Sequence, residues 1–171
     1  SIGVSSAKWY AEFKLSAHSG TNRCILGVTS DPAEDNRNNE YFGQTARSYS
    51  YSAELGRKYN NNSASSYGDS YTTNDILGVA LDLDNLKIYF SKNGTWQDSG
   101  DPESGATGTG SAVNLQSGQT YFPALAIGTS GTVEGEFNFG SPPYANSSDA
   151  ADANGYGAFE YAPPSGYLAI N

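Results

Sequence analysis

Two residue types that carry much of enzyme chemistry, histidine and cysteine, are scarce in this sequence, and methionine is missing. Its 171 residues include one histidine, one cysteine and no methionine. A single cysteine cannot form a disulfide within the chain, and a catalytic thiol would need His18 as its base. Cys24 alternates with Leu26 and Val28, so we expect it to be a small buried hydrophobic residue. The sequence therefore predicts no catalytic residues, no metal ligands and no cofactor.

Basic residues are also few. Nine lysines and arginines stand against 18 acidic residues, which gives a formal net charge of −9. This balance argues against nucleic acid as a partner, because affinity for nucleic acid rests on basic contacts to phosphates. It argues equally against an anionic membrane surface. No apolar run approaches the roughly 20 residues needed to cross a bilayer, and no signal-peptide pattern is found.

The first residue is not methionine. We interpret residues 1–171 as a single domain that was excised from, or processed out of, a longer chain. At this length roughly 70% of the surface of the unfolded chain can be buried on folding.

The clearest structural signal lies in residues 74–97, which alternate apolar and polar residues around the turn Asp84-Asn85. A two-residue loop of this kind suits a type I′ turn. It would place three apolar pairs on one face and an opposite-charge pair on the other, which fixes the register. Asn93-Gly94 predicts a second hairpin turn. The predicted cross-strand pairs are Leu83–Leu86, Leu81–Ile88, Val79–Phe90 and, on the opposite face, Asp82–Lys87.

Shorter alternating runs predict further strands at 8–15, 24–28, 121–127 and 132–139, and a short one at Tyr49 and Tyr51. Long polar loops are expected at 30–47, 97–111 and 141–161, where the sequence leaves open whether they bind anything. Trp9 and Trp96 are interpreted as packing residues. With 20 glycines and 13 tyrosines between turn-forming clusters, the chain has the pattern of an all-β sandwich or barrel.

Seven segments follow one another along nearly the whole chain: KWYAEFKL at 8–15, LGV at 26–28, YSYSAELGRKYNNN at 49–62, YGDSYTTNDILGVALDLDNLKIYFSKNG at 67–94, YFPALAIG at 121–128, FNFG at 137–140 and PPSGY at 163–167. In this order they resemble the SPRY domain. That resemblance implies a bent two-sheet antiparallel β-sandwich of the concanavalin or jelly-roll type, used as a non-catalytic binding module. The family usually has glycine after the Asp-Asn turn, whereas this chain has Leu86.

The ending at 149–171 resembles SPRY domains carried by bacteriophage virion proteins. That resemblance implies a structural or host-attachment role on the particle surface or tail. The partners would then be a host-surface protein or glycan and other virion proteins, with a homo-oligomer as an option. Two alternatives stay open: a cytoplasmic protein-interaction adaptor domain and a glycan-binding domain on the same fold.

A cluster of tyrosines around one arginine is the candidate binding surface. Tyrosine and arginine are enriched at binding hot spots because they combine stiff contact area with hydrogen-bonding tips. The structural alternative is that these tyrosines cover sheet edges while the arginine is paired with a carboxylate. The candidate residues are Tyr49, Tyr51, Arg57, Tyr59, Tyr67 and Tyr71.

Three other motifs are better explained by structure than by chemistry. Gly68-Asp69-Ser70 resembles the start of an esterase motif, but the only histidine lies upstream of it, so a turn before Tyr71 is expected. Asp82 and Asp84 are interpreted as a salt-bridge partner and a turn residue. Asp152-Ala153-Asn154-Gly155 faintly resembles a calcium loop but lacks the first ligand and the bidentate glutamate, so an Asn-Gly turn is expected.

Overall fold

The computed structural model describes residues 2–19, 24–33, 42–127 and 131–170. Within them the chain forms twelve strands and two short 3-10 helices, Gln97–Ser99 and Gly105–Thr107. Neither helix is long or apolar enough to span a bilayer. Residues 34–41 of the predicted loop 30–47 lie outside the described residues. The strands are β1 Lys8–His18, β2 Cys24–Thr29, β3 Ser48–Ser52, β4 Arg57–Asn60, β5 Ser63–Ser66, β6 Ile76–Asp82, β7 Lys87–Lys92, β8 Thr95–Trp96, β9 Val113–Asn114, β10 Phe122–Ile127, β11 Val133–Asn138 and β12 Leu168–Ala169.

The strands form two sheets, which confirms the predicted two-sheet β architecture. The larger sheet follows the order β11-β1-β6-β7-β8, with β12 paired to β1 and β9 paired to β7. The smaller sheet follows the order β10-β2-β3-β4-β5. All pairings are antiparallel except that of the two-residue strand β12 with β1. The polar, tyrosine-rich segment 56–71, for which the sequence predicts no strand, contains the hairpin of β4 and β5.

The register of the central hairpin is as predicted. Leu81 lies opposite Ile88, and Asp82 opposite Lys87. Leu81 is 2% exposed and Ile88 is fully buried between the sheets. Asn93 and Gly94 both have positive φ, 48° and 79°, as a type I′ turn requires.

Two details of the first turn differ from the prediction. The ladder ends at Asp82–Lys87, and the positive φ falls on Leu86, at 58°. The carboxylate of Asp82 accepts hydrogen bonds from the backbone N–H and the side-chain amide of Asn85, both at 2.9 Å, which favours a four-residue loop. Asp82 also forms its salt bridge with Lys8, at 3.1 Å, and not with Lys87. The left-handed backbone at position 86 explains why glycine suits this position.

Both faces of the larger sheet are buried. One face packs against the smaller sheet and forms the main core, in which Trp9 is a partly buried member. The opposite face carries Tyr10, Ala80 and Tyr89, and it forms a second core with Phe159 and Tyr167, against which Trp96 packs. The segment 141–167 therefore acts as a third layer over the sheet.

Glu12 joins this third layer to β1. Its side chain is fully buried. One carboxylate oxygen accepts from the Tyr10 hydroxyl at 3.2 Å and the Tyr161 N–H at 2.8 Å. The other accepts from the Asn138 amide at 3.2 Å, the Tyr144 hydroxyl at 3.1 Å and the Glu160 N–H at 3.0 Å. Five donors therefore converge on one carboxyl group, and three of them come from residues 144–161.

Substitution of Glu12 by alanine should destabilise the fold strongly. Each buried donor that loses its acceptor costs about 1–3 kcal/mol, so we expect Glu12→Ala to lower the free energy of unfolding by at least ~3 kcal/mol. Urea denaturation measures this change. Glu134→Ala, at an exposed position on β11, is the control and should change stability by less than ~0.5 kcal/mol. A Glu12→Ala protein as stable as the control would contradict the role of this carboxylate.

Candidate functional site

Four of the six predicted binding residues lie in the main core, so they cannot form an exposed surface. Tyr49 is 1% exposed, Tyr51 0%, Tyr67 5% and Tyr71 2%. The ring of Tyr51 meets those of Tyr67 and Tyr71 at centroid distances of 5.5 and 5.2 Å. For these four residues the binding prediction is corrected: their rings face the space between the sheets.

Three of these four tyrosines direct their hydroxyl groups to backbone atoms inside the protein. Tyr71 donates to the carbonyl of Tyr51 at 2.9 Å, and Tyr51 donates to the carbonyl of Asp69. Tyr67 donates to the carbonyl of Gly110 at 3.3 Å and accepts from the N–H of Phe90 at 3.2 Å. Burial raises the pKa of all three phenols. These groups therefore stay neutral and serve packing.

The other two predicted residues, Arg57 and Tyr59, lie on β4. Arg57 is exposed and Tyr59 is half-buried. Among the described residues, the guanidinium of Arg57 has no hydrogen-bond or ion-pair partner, so the alternative of a salt bridge finds no support there. Both side chains point away from the sandwich interior, since their positions alternate with Lys58, which faces inward opposite Ser65. A binding role for this pair stays a prediction.

Lys58 is a candidate that the sequence analysis missed. Its ammonium lies 5.3 Å from the centre of the Tyr67 ring. It lines a cavity of about 200 Å³ between the β4–β5 hairpin and the start of β9, together with Asn60, Ser63, Ser65, Ala112 and Val113. The Asn61-Asn62 pair in the sequence could have indicated Lys58, because two adjacent asparagines favour a two-residue hairpin turn. In the structure both have positive φ, 50° and 57°, and they form that turn. An Asn-Asn hairpin places Lys58 and Asn60 opposite Ser65 and Ser63 on one face.

The esterase-like motif at residues 68–70 is held by hydrogen bonds to the backbone of Gly56 and to the side chain of Gln97. Asp69 and Ser70 lie in an exposed turn, where the N–H of Asp69 donates to the Gln97 amide oxygen at 2.7 Å. Lys92 donates to the carbonyl of Ser70, also at 2.7 Å. Within the described parts of the chain, no cluster of three or more histidine, cysteine, aspartate or glutamate side chains could hold a metal ion.

Asp152 closes a turn instead of a calcium site. One carboxylate oxygen accepts from the N–H groups of Asn154 and Tyr156, each at 2.9 Å. The other accepts from the N–H of Ala169, also at 2.9 Å, and so ties the loop to β12. Desolvation would raise the pKa of this carboxyl, but the backbone N–H groups outweigh it and lower the pKa.

Cys24 should react with thiol reagents only when the protein unfolds. Its side chain is fully buried, and burial raises the pKa of the thiol to about 11. The reactive thiolate is therefore both inaccessible and scarce at neutral pH. Labelling with a chromogenic disulfide should be complete in urea and negligible in native buffer. Rapid labelling of the native protein would contradict this placement.

Asp152→Asn should lower stability in a pH-dependent way. Because the pKa of Asp152 is lower in the folded chain, its hydrogen bonds stabilise the fold above the ordinary carboxyl range of ~4, and this contribution is lost as pH falls through the folded value. Solvent screens this partly exposed group, so we expect a loss of ~1 kcal/mol at pH 7 that shrinks below about pH 4. Thermal unfolding of both proteins across pH measures it. Millimolar calcium should leave both melting temperatures unchanged; a rise for the wild type alone would contradict the turn interpretation.

Several curated proteins are similar to this chain. The E3 ubiquitin-protein ligase RKP of Arabidopsis thaliana is 29% identical over 80% of the chain. The probable ATP-dependent RNA helicase ddx1 of Dictyostelium discoideum is 30% identical over 82% of the chain, and the Drosophila melanogaster helicase Ddx1 is 28% identical over 66%. The chain spans only 10%, 15% and 12% of these three proteins, respectively. Similarity to them therefore concerns one segment of much longer proteins.

The family model described as "SPRY domain" matches residues 8–142, which include β1 to β11. The match covers most of the chain, and it agrees with the two antiparallel sheets and the central hairpin described above. Domains of this kind are protein-interaction modules and are generally non-catalytic. The chain belongs to the SPRY domain family.

Proposed function

We propose that this chain is a non-catalytic protein-binding domain that contacts its partner through the β4–β5 hairpin. The observation that carries the proposal is Arg57, an exposed cation without a carboxylate partner among the described residues of a chain whose net charge is −9. Tyr59 lies on the same face of β4 and is half-buried, so it offers a partly fixed aromatic surface. The hairpin lies at an edge of the smaller sheet.

The cytoplasmic adaptor interpretation has more support than the virion interpretation. The similar proteins are eukaryotic, and their names describe a ubiquitin ligase and RNA helicases. No comparison connects the chain with bacteriophage proteins, so the virion, tail-fibre and host-attachment roles stay predictions without support. We therefore favour a location inside a eukaryotic cell, where this domain would recruit a protein to a larger chain.

Glycan binding and self-association are weaker candidates. Sugar recognition on this fold would use exposed aromatic rings, whereas four of the candidate tyrosines are buried. A homo-oligomer would bring two chains of charge −9 together, which disfavours association unless a large apolar surface is covered. RNA is also a poor ligand, because its phosphates would be repelled by the net negative charge of the chain, although two of the named relatives are RNA helicases.

A protein array and a glycan array, probed with the labelled chain, test this function. We expect a saturable protein ligand and no saturable glycan. Calorimetry on that ligand should show about tenfold weaker binding for Arg57→Ala and for Tyr59→Ala, as is usual for hot-spot residues. Lys14→Ala, which removes a cation that lies over Tyr144 on the opposite part of the molecule, is the control. Saturable glycan binding without a protein ligand would contradict the proposal.

A further inference from the structure

The free edge of β5 and the cavity beside it have the features of a peptide-docking site. β5 is the last strand of the smaller sheet, and all four of its residues are exposed. An exposed strand edge offers its unpaired N–H and C=O groups to another strand, which is a recurring mode of peptide recognition.

The hairpin geometry identifies the available backbone groups. Asn60 and Ser63 flank a two-residue turn and form the hydrogen-bonded pair that closes it. Because such pairs alternate along an antiparallel ladder, Ser65 also bonds to β4, whereas Ala64 and Ser66 direct their N–H and C=O groups outward. The same alternation continues at Tyr67, whose N–H donates to the carbonyl of Gly56 at 3.0 Å. No described residue receives the outward groups of Ala64 and Ser66.

Two other sheet edges, β10 and β11, carry features that discourage strand addition, and β5 does not. β10, at the opposite edge of the same sheet, contains Pro123, which has no N–H to donate. β11, at the edge of the larger sheet, carries Glu134 and Glu136. Proline and charged residues are common devices against edge-to-edge pairing. β5 has the sequence Ser-Ala-Ser-Ser, with small side chains that leave room for a neighbouring strand.

The cavity favours an acidic side chain on the added strand. Lys58 supplies an ammonium and Ser63 and Ser65 supply hydroxyl donors, while Ala112 and Val113 form an apolar wall. No carboxylate is among the lining residues. A volume of about 200 Å³ is several times the ~30 Å³ that one water occupies in the liquid, so a carboxylate side chain fits. Alternate side chains of a strand beside β5 would face this cavity.

We propose that β5 pairs with an extended segment of a partner protein and that this segment places a glutamate or aspartate side chain next to Lys58. The proposal rests on the proposed protein-binding function and specifies its mode and ligand class. A second copy of this chain is a poor occupant, because its own β5 has no acidic residue to place in the cavity.

A phage-displayed library of random twelve-residue peptides, panned on the full chain, tests the ligand class. We expect selected peptides to carry acidic residues at alternate positions and to bind more weakly as salt is raised. Fluorescence anisotropy with one selected peptide should show about tenfold weaker binding to Lys58→Gln. Lys14→Gln should bind like the wild type, because Lys14 also lies over a tyrosine ring but far from β5.

Two further variants test the strand pairing. Ala64→Pro removes an outward N–H without removing a bond to β4, so it should fold and lose at least about tenfold in affinity. Ala64→Val keeps that N–H and should bind like the wild type. If Ala64→Pro does not fold, a pair of N-methylated versions of the selected peptide replaces it. Methylation of the alternate amides that face β5 should abolish binding to the wild-type chain, whereas methylation of the other set, which faces away, should not.

Three results would overturn the inference. The first is a library that yields no binder, and the second is a set of binders without acidic residues. The third is a selected peptide that binds equally well to Ala64→Pro and Lys58→Gln. If array ligands nevertheless depend on Arg57 and Tyr59, the protein-binding function holds and only this docking mode is wrong. If the arrays show no protein ligand while an acidic peptide binds at β5, the docking mode holds and the proposed contacts of Arg57 and Tyr59 are wrong.

Discussion

Burial of both faces of the larger sheet is the constraint on which the structure depends. Strands of a two-sheet sandwich usually bury one face and expose the other, which gives the simple alternation of apolar and polar residues. Here the outward face of β1 carries Tyr10 and Glu12, and both are buried beneath residues 141–167. A buried carboxylate is tolerated only when its oxygens are satisfied. The five donors around Glu12 therefore make the position of the third layer a condition of the fold.

This arrangement leaves the two sheets unequal. The larger sheet is enclosed by the smaller sheet on one side and by the third layer on the other, so its central strands have little surface to offer a partner. The smaller sheet ends in β5, whose residues are all exposed. Recognition by extended peptides needs a rigid strand with free backbone groups, and the sheet supplies it at this edge. The same packing that encloses the larger sheet therefore leaves β5 as the exposed edge on which the docking proposal rests.

The sequence predicted the fold where its residues alternate, and it failed where they do not. The pairing of Leu81 with Ile88 followed from a period of two, because a shift by one residue would have exposed an apolar set. The adjoining turn could not be predicted, since it depends on the Asp82 carboxylate binding the N–H of Asn85. The third layer has no periodicity at all. Its position depends on Glu12, more than 130 residues away from Tyr144 along the chain.

The tyrosines illustrate why binding residues are harder to predict than strands. A tyrosine satisfies its hydroxyl equally well with water, with a ligand or with a buried carbonyl, so its presence in a polar segment does not indicate exposure. Tyr51 and Tyr71 donate to buried carbonyl groups, and the composition of their segments does not distinguish them from Tyr59. Lysine is different, because an ammonium is costly to bury without a partner. The ammonium of Lys58 lies 5.3 Å from the centre of the Tyr67 ring, and no described residue forms an ion pair with it. In an acidic chain of this kind, a cation beside an open strand edge is a better indicator of a binding site than a cluster of aromatic residues.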